Sequence, residues 1–250
     1  MSRTRILKAT VAALQMTATA AAADGIGADT IASADVAGWP GRVGHYAFEV
    51  TRDGKPIGTQ SIDVKQDGDA LTVVTESKIA VTLVGVVVYR MHQVITETYQ
   101  GRRLVALHAE TQDPDGLRVA DVKRDAGDHW SGTLGKQPRA FDCDCMASTM
   151  WQAAAIGTRT IIEASQARLR KITVRDRGTD TLNLPEGPVT VHHYAVKGEI
   201  ERDVWFDGNG NLVSAQQTGR DGSLIIQNLL SDPSGSREPK PETKSEAAQP

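Results

Sequence analysis

The feature that most constrains this 250-residue sequence is a series of Asp-Gly and Asn-Gly dipeptides that recur through its middle part. Glycine readily adopts the positive φ that a tight hairpin turn requires, so each dipeptide predicts a reversal of the chain. The dipeptides are Asp53-Gly54, Asp67-Gly68, Asp115-Gly116, Asp207-Gly208, Asn209-Gly210 and Asp221-Gly222. A chain that reverses this often is expected to fold as an antiparallel meander of short strands.

The segments between these turns carry the pattern of strands. They are rich in Val, Ile, Thr and Tyr, and apolar residues alternate with polar ones, as at Tyr46, Phe48 and Val50. The spacing predicts roughly ten to twelve strands. We expect a mainly β fold, a curved antiparallel sheet that closes into a barrel or roll and so hides its edges. One short helix is predicted near residues 146–156, where the composition favours a helix.

The two ends of the chain do not share this pattern. Residues 1–23 have the basic start, apolar middle and small final residues of a secretory signal peptide, with cleavage predicted after Ala23. Residues 24–44 are predicted to form a loose lead-in, and residues 45–230 one antiparallel β domain. Residues 231–250 are rich in proline and poor in apolar residues, which predicts a disordered tail.

The ends and the charge of the chain predict its compartment and exclude some partners. A signal peptide implies a periplasmic or secreted protein, and nowhere do ~18 apolar residues follow one another, so the chain is not expected to span a membrane. The formal net charge of −3 becomes −6 once the three basic residues of the signal peptide are removed. A net-negative chain without a basic stripe argues against nucleic acid as a partner.

Residues 79–91 form an apolar stretch that does not alternate as its neighbours do. In an antiparallel sheet, a strand that is apolar on both faces is expected to contact something with its second face. The alternatives are the predicted helix near Trp151, a partner protein and a lipid-like ligand. The predicted ligand-binding residues are Val84, Val86, Val88, Tyr89 and Trp151.

The two cysteines, Cys143 and Cys145, form a second candidate site. In an exported protein they are expected to pair, but in extended backbone their Cα atoms lie near the ~7 Å limit for a disulfide. Three interpretations stay open: a small disulfide ring, two unpaired thiols, and a metal or redox site. In the last, Cys143, Cys145 and Met146 supply soft sulfur ligands for Cu(I) or Zn.

No catalytic signature accompanies these residues. The sequence has no G-x-S-x-G, H-E-x-x-H, Walker-type or G-x-G-x-x-G motif. Asp207, Asn209 and Asn211 match the first three ligands of a calcium loop, but Leu212 and Thr218 occupy the positions that require Gly and Glu, so a hairpin turn is predicted instead. The sequence favours a non-enzymatic protein, and no cofactor is predicted.

Five turn and strand segments of the domain form a recognisable series. They are Gly54-Lys55-Pro56-Ile57-Gly58, Gly85-Val86-Val87-Val88-Tyr89-Arg90, Arg103-Leu104-Val105-Ala106-Leu107, Val204-Trp205-Phe206-Asp207 and Gly210-Asn211-Leu212-Val213. Over about residues 45–228, the series resembles a family of exported bacterial proteins known only as a domain of unknown function. The resemblance implies export and a curved antiparallel sheet, and it implies no reaction.

Three functional hypotheses follow. The first is an exported envelope module that holds an apolar or lipid-like ligand in the curved sheet, which requires a cavity of a few hundred Å3 beneath Val84–Tyr89 and Trp151. The second is an accessory module that binds an envelope protein through an exposed apolar strand. The third is a thiol- or metal-binding protein that uses Cys143 and Cys145.

Overall fold

The computed structural model describes residues 39–233, except for residues 126 and 186 and the side chain of Leu83. The predicted signal peptide, most of the predicted lead-in and most of the predicted tail therefore lie outside the described residues. Within the described part, no helix is both long enough and apolar enough to cross a membrane.

Fifteen strands build the described part of the chain, more than the number predicted. The first eight are β1 (Gly44–Arg52), β2 (Lys55–Asp67), β3 (Ala70–Leu83), β4 (Val86–Gln100), β5 (Arg103–Asp113), β6 (Gly116–Arg124), β7 (His129–Leu134) and β8 (Gln137–Asp142). The others are β9 (Met146–Ala147), β10 (Thr160–Glu163), β11 (Arg168–Leu184), β12 (Gly187–Gly198), β13 (Arg202–Phe206), β14 (Leu212–Thr218) and β15 (Leu224–Ser231). The excess comes from short strands such as β8 and β9, whose few residues carry no alternating pattern.

All fifteen strands belong to one sheet, in the order β8-β7-β6-β5-β4-β3-β2-β1-β15-β14-β13-β12-β11-β10-β9. The pairs are antiparallel apart from β9 with β10, and the two halves of the chain meet where β1 pairs with β15. The predicted mainly β fold with a curved antiparallel sheet is thus confirmed. The edge strands β8 and β9 are not hydrogen-bonded to each other, so the sheet is not closed into a complete barrel.

The helix predicted over residues 146–156 is replaced by strand β9, an extended segment and a 3-10 helix at Ala153–Gly157. Only the 3-10 helix is held by backbone hydrogen bonds within the segment, and the residues up to its start bond to other elements. Ser148 N donates to Ile162 O at 2.8 Å, and Ala153 N donates to Gly210 O at 2.9 Å. Because these tertiary partners satisfy the backbone, they override the helical preference of the composition.

One hydrophobic cluster joins the two halves of the sheet. It includes Phe48 of β1 and Phe206 of β13, each about 1% exposed. Trp39 packs against two aromatic rings of this cluster, and its ring centroid lies 5.2 Å from Tyr99 and 5.5 Å from Trp151. The segment after β9 therefore fills this end of the curved sheet from inside.

Gly58 on β2 is required by a close approach of two strands. A Cβ atom at this position would lie 1.9 Å from the backbone oxygen of Lys78 on β3. Gly58 pairs with Ile79 on one side and with Val50 on the other, next to a register shift between Val50 and Thr51. A side chain at this position therefore has no room between the two backbones.

The ends of β3 and β4 project as a two-stranded ribbon beyond their neighbours. β2 pairs with β3 only as far as Ile79, and β5 pairs with β4 only from His92 onwards. Val84 and Val86 on this ribbon are 95% and 64% exposed. The segment around Trp151 was one of the alternatives predicted to contact these valines. In the structure, Trp151 packs against Tyr99 instead.

We expect Gly58→Ala to destabilise the domain, because the added methyl group forces β2 and β3 apart. The free energy of unfolding should fall by at least about 1–3 kcal/mol, the usual cost of overpacking, when measured by urea titration. The matched control is Gly157→Ala, since a Cβ atom there meets nothing within 4 Å. An equal loss of stability in both variants would contradict the close approach at Gly58.

We expect Val86→Asp to leave the domain folded, because an exposed substitution changes stability by only about 0.5 kcal/mol. Its Tm should stay within about 2 °C of the wild-type value. Val73→Asp on the same hairpin, at a position that is 0% exposed, should unfold the domain because it buries a charge without a partner. If Val86→Asp also unfolded the domain in a circular dichroism melt, the ribbon would be covered rather than exposed.

Candidate functional site

The structure does not bring the predicted ligand-binding residues together. Val84, Val86, Val88 and Tyr89 all lie on the projecting ribbon, where Tyr89 is only 6% exposed. Trp151 is 4% exposed and packs against Tyr99 at another place in the sheet. Consecutive valines occur in projecting ribbons as well as in covered strands, so the sequence pattern alone does not distinguish the two.

The structure joins Cys143 and Cys145 in a disulfide, with their Cα atoms 5.4 Å apart. They lie in the connection between the edge strands β8 and β9, and Met146 beside them is buried. Within the described residues, no three His, Cys, Asp or Glu side chains are grouped so that they could hold a metal ion. A soft-metal site at these three residues would therefore require prior reduction of the disulfide.

A cavity of about 170 Å3 lies inside the curved sheet, between its two halves. Strands β1 to β4 contribute one wall, strands β13 to β15 contribute another, and the segment between β9 and β11 adds Ser148, Thr149 and Glu163. The apolar side chains of the wall include Val50, Ile79, Met91, Ile95, Ile200 and Ile225. The polar side chains include Gln60, Thr75, Ser77, Gln93, Arg202, Gln217 and Gln227.

Some of these polar groups satisfy one another. The Ser77 hydroxyl donates to Gln60 Oε1 at 3.0 Å, and Gln93 Nε2 donates to the Thr111 hydroxyl at 2.8 Å. Ser77 and Thr111 are themselves buried. These bonds hold neighbouring strands β2 to β5 together along the inner face.

Arg202 is the charged residue of the cavity that lacks an acidic partner within the described residues. Its Nη1 donates to the backbone oxygen of Ser148 at 3.3 Å, and its Nη2 donates to Gln217 Oε1 at 3.2 Å. Burial lowers the pKa of Arg202 to about 10, because a low-dielectric environment disfavours the charged form. The guanidinium therefore remains charged at neutral pH.

Three buried donor groups in the cavity wall have no hydrogen-bond partner among the described residues. They are Arg202 Nε, Gln227 Nε2 and the Thr75 hydroxyl. They come from β13, β15 and β3, so both halves of the sheet contribute. A buried donor without a partner costs about 1–3 kcal/mol, and native proteins contain few such groups.

A fully buried carboxyl group lies next to the cavity wall. Glu97 is 0% exposed, and the Thr149 hydroxyl donates to its Oε1 at 2.5 Å. The Tyr99 hydroxyl donates to its other oxygen, and Trp151 Nε1 donates to the Tyr99 hydroxyl at 3.2 Å. Burial raises the pKa of Glu97 above its ordinary value despite these hydrogen bonds, because no described cation neutralises the carboxylate.

Sequence reasoning missed the residues of this cavity, although a signal was present. Gln60 precedes Ile62 by two positions on β2, and Gln93 precedes Ile95 in the same way on β4. Because residues two apart on a strand share a face, these glutamines are in phase with the core and point inward. Arg202 carries the same signal, since it precedes Val204 by two positions on β13, but it follows Glu199 and Glu201 in a charged segment that resembles a solvent-exposed turn.

The fold is similar to that of a solved structure, and a second solved structure also matches the chain. A beta-barrel-like protein of the domain of unknown function DUF1849 from Brucella abortus has 13% sequence identity and a TM-score of 0.56, and the match covers 76% of this chain and 98% of that chain. A putative lipoprotein from Parabacteroides distasonis has 10% identity and a TM-score of 0.31, with 78% of this chain and 96% of that chain covered. No curated protein matches the chain.

At 13% identity, the first of these likenesses shows the fold alone. The family described as Domain of unknown function (DUF6134) matches residues 48–229, which extend from β1 into β15. This match confirms the predicted resemblance to a domain of unknown function. The chain therefore belongs to the family of the domain of unknown function DUF6134.

Proposed function

We propose that this chain is an exported, non-enzymatic binding module that holds a small ligand inside its curved sheet. The cavity of about 170 Å3 between the two half-sheets carries this proposal. An apolar cavity of about 150 Å3 accommodates benzene, so this one suits a molecule, or the end of a longer one, of roughly six to ten non-hydrogen atoms. The ligand is thus smaller than the sequence-based hypothesis requires.

The composition of the cavity wall supports binding rather than simple imperfect packing. Ligand sites are mostly apolar and carry a few polar groups that orient the ligand. Here the aliphatic side chains of Val50, Ile95 and Ile225 alternate with the glutamine amides and with Arg202. A packing defect in a hydrophobic core would be lined by apolar atoms instead.

Two observations support a periplasmic or secreted location. Residues 1–23 have the pattern of a signal peptide. The disulfide between Cys143 and Cys145 is of a kind that persists in oxidising compartments and is rare in the cytosol.

The projecting ribbon favours a second candidate function, binding of another envelope protein. Val84, Val86 and Val87 are 95%, 64% and 40% exposed and adjoin one another. Exposed apolar patches often mark interaction surfaces. The two candidates can be separated by mutagenesis, because these valines do not line the cavity.

Ala215→Leu should abolish ligand binding, because Ala215 on β14 lines the cavity and a leucine there occupies the volume that the ligand needs. Native mass spectrometry of the protein isolated from its source should show a mass above that of the processed chain, and this excess should be absent from the variant. The control Ala140→Leu lies at an exposed position on β8 and should retain it. A wild-type mass equal to that of the bare chain, and no rise in Tm with small organic probes, would overturn the proposal.

Glu97→Gln should stabilise the protein relative to wild type increasingly as the pH rises. The folded state holds the Glu97 proton more tightly than the unfolded state, so wild-type stability is fully present below the ordinary pKa of 4.5 and is lost as the pH rises towards the raised folded pKa. Melting curves between pH 4 and 8 measure this, since ~1 kcal/mol corresponds to about 2–4 °C in Tm for a domain of this size. The exposed control Glu201→Gln should follow the wild type, and a difference that is independent of pH would contradict the raised pKa of Glu97.

A further inference from the structure

We propose that the ligand of the cavity carries a carboxylate, which binds the Arg202 guanidinium in place of an acidic residue that the protein does not supply. This inference rests on the proposed function, because it names the chemical class of ligand for the same cavity. It follows from the charge of the cavity, from its free hydrogen-bonding groups and from its apolar wall.

The charge argument comes from a comparison with other arginines of the sheet whose side chains are largely buried. Arg118 donates to Asp113 at 2.6 Å, and Arg170 donates to Glu163 at 2.7 Å. The side chain of Arg124, only 2% exposed, donates to an aspartate at 3.2 Å. Arg202 differs from these, because its partners in the described part of the chain are two neutral oxygens. A buried charge is costly unless it is paired, so the cavity favours an anion.

The hydrogen-bonding groups of the cavity point the same way. Two of its amide oxygens are already engaged, since Gln60 Oε1 accepts from Ser77 and Gln217 Oε1 accepts from Arg202. The groups without described partners are Arg202 Nε, Gln227 Nε2 and the Thr75 hydroxyl, each of which can donate. The two nitrogen groups can only donate, and the hydroxyl can also donate, so a group that accepts hydrogen bonds complements all three. An ionised carboxylate has two accepting oxygens, and the planar guanidinium matches its geometry.

The rest of the wall distinguishes an organic acid from an inorganic anion. Apolar side chains line the rest of the same cavity and cannot stabilise a second charge. They are those of Ile79, Met91, Ile95 and Ile225. Glu97 does not cancel the charge of Arg202, since burial raises its pKa and favours its neutral form. We therefore assign the site to a monocarboxylate with a short apolar body.

Hexanoate and hexanamide provide a matched test, because the two probes have nearly the same shape and differ in charge. Isothermal titration at pH 7 with the processed chain should show hexanoate binding about 10- to 100-fold more tightly, the range expected for a charge-assisted hydrogen bond. Arg202→Gln should remove this preference, whereas Arg202→Lys should keep part of it. The control Arg175→Gln removes an equal charge from an exposed position on β11 and should leave the preference unchanged.

Each other outcome has a distinct meaning. If both probes bind equally and Ala215→Leu abolishes both, the binding module stands and its assignment to a carboxylate is wrong. If inorganic phosphate displaces hexanoate at equal concentration, the site recognises charge alone, which also overturns the assignment. If neither probe binds, the inference fails, and a native mass equal to that of the bare chain then removes the proposed function as well. The comparison of the two probes on the unaltered protein does not depend on the folding of any variant.

Discussion

The pairing of β1 with β15 is the contact on which the rest of the structure depends. It joins strands from opposite ends of the described chain, in a register that places Val50 opposite Gln227 and Arg52 opposite Ile225. The contact extends into the adjoining turns, where Asp53 N donates to Leu224 O and the Asp53 carboxylate accepts from Leu224 N, both at 2.8 Å. Without it, β1 to β8 and β9 to β15 would be two open meanders with exposed inner faces. Val50 and Gln227 both line the cavity, so the same seam builds the candidate site.

The two ends of the curved sheet are filled in different ways. At one end, the rings of Trp39, Tyr99 and Trp151 pack against one another. At the other end, the inward positions of the strands carry serine, threonine and glutamine, and the segment between β9 and β11 contributes Ser148, Thr149 and Glu163. At the first end, large aromatic rings fill the interior. At the second end, smaller polar side chains hydrogen-bond to one another instead of packing closely, and a cavity results.

The protein buries one acid and one base near this cavity without pairing them. Glu97 is surrounded by donors from Thr149 and Tyr99, and burial shifts its pKa towards the neutral form. Arg202 does not become neutral in the same way, because even the lowered pKa of about 10 leaves its guanidinium protonated at neutral pH. Glu163, which also lines the cavity, is paired with Arg168 and Arg170. The charge of Arg202 is therefore the one in the described cavity wall that its neutral hydrogen-bonding partners leave unbalanced.

Much of the fold was predictable from the sequence, because its determinants are local. The Asp-Gly and Asn-Gly turns and the alternation at Tyr46, Phe48 and Val50 determine an antiparallel, mainly β chain, since turn geometry and side-chain period act over a few residues. The sequence also allowed the inward orientation of Gln60 and Gln93 to be predicted, because each lies two residues before a core isoleucine on its strand. Tertiary structure alone decided the rest: the exposure of the β3–β4 ribbon, the absence of the predicted helix, and the neutral partners of Arg202. Each of these features depends on contacts with residues that are distant in sequence. A local sequence pattern does not predict the free energy of such contacts.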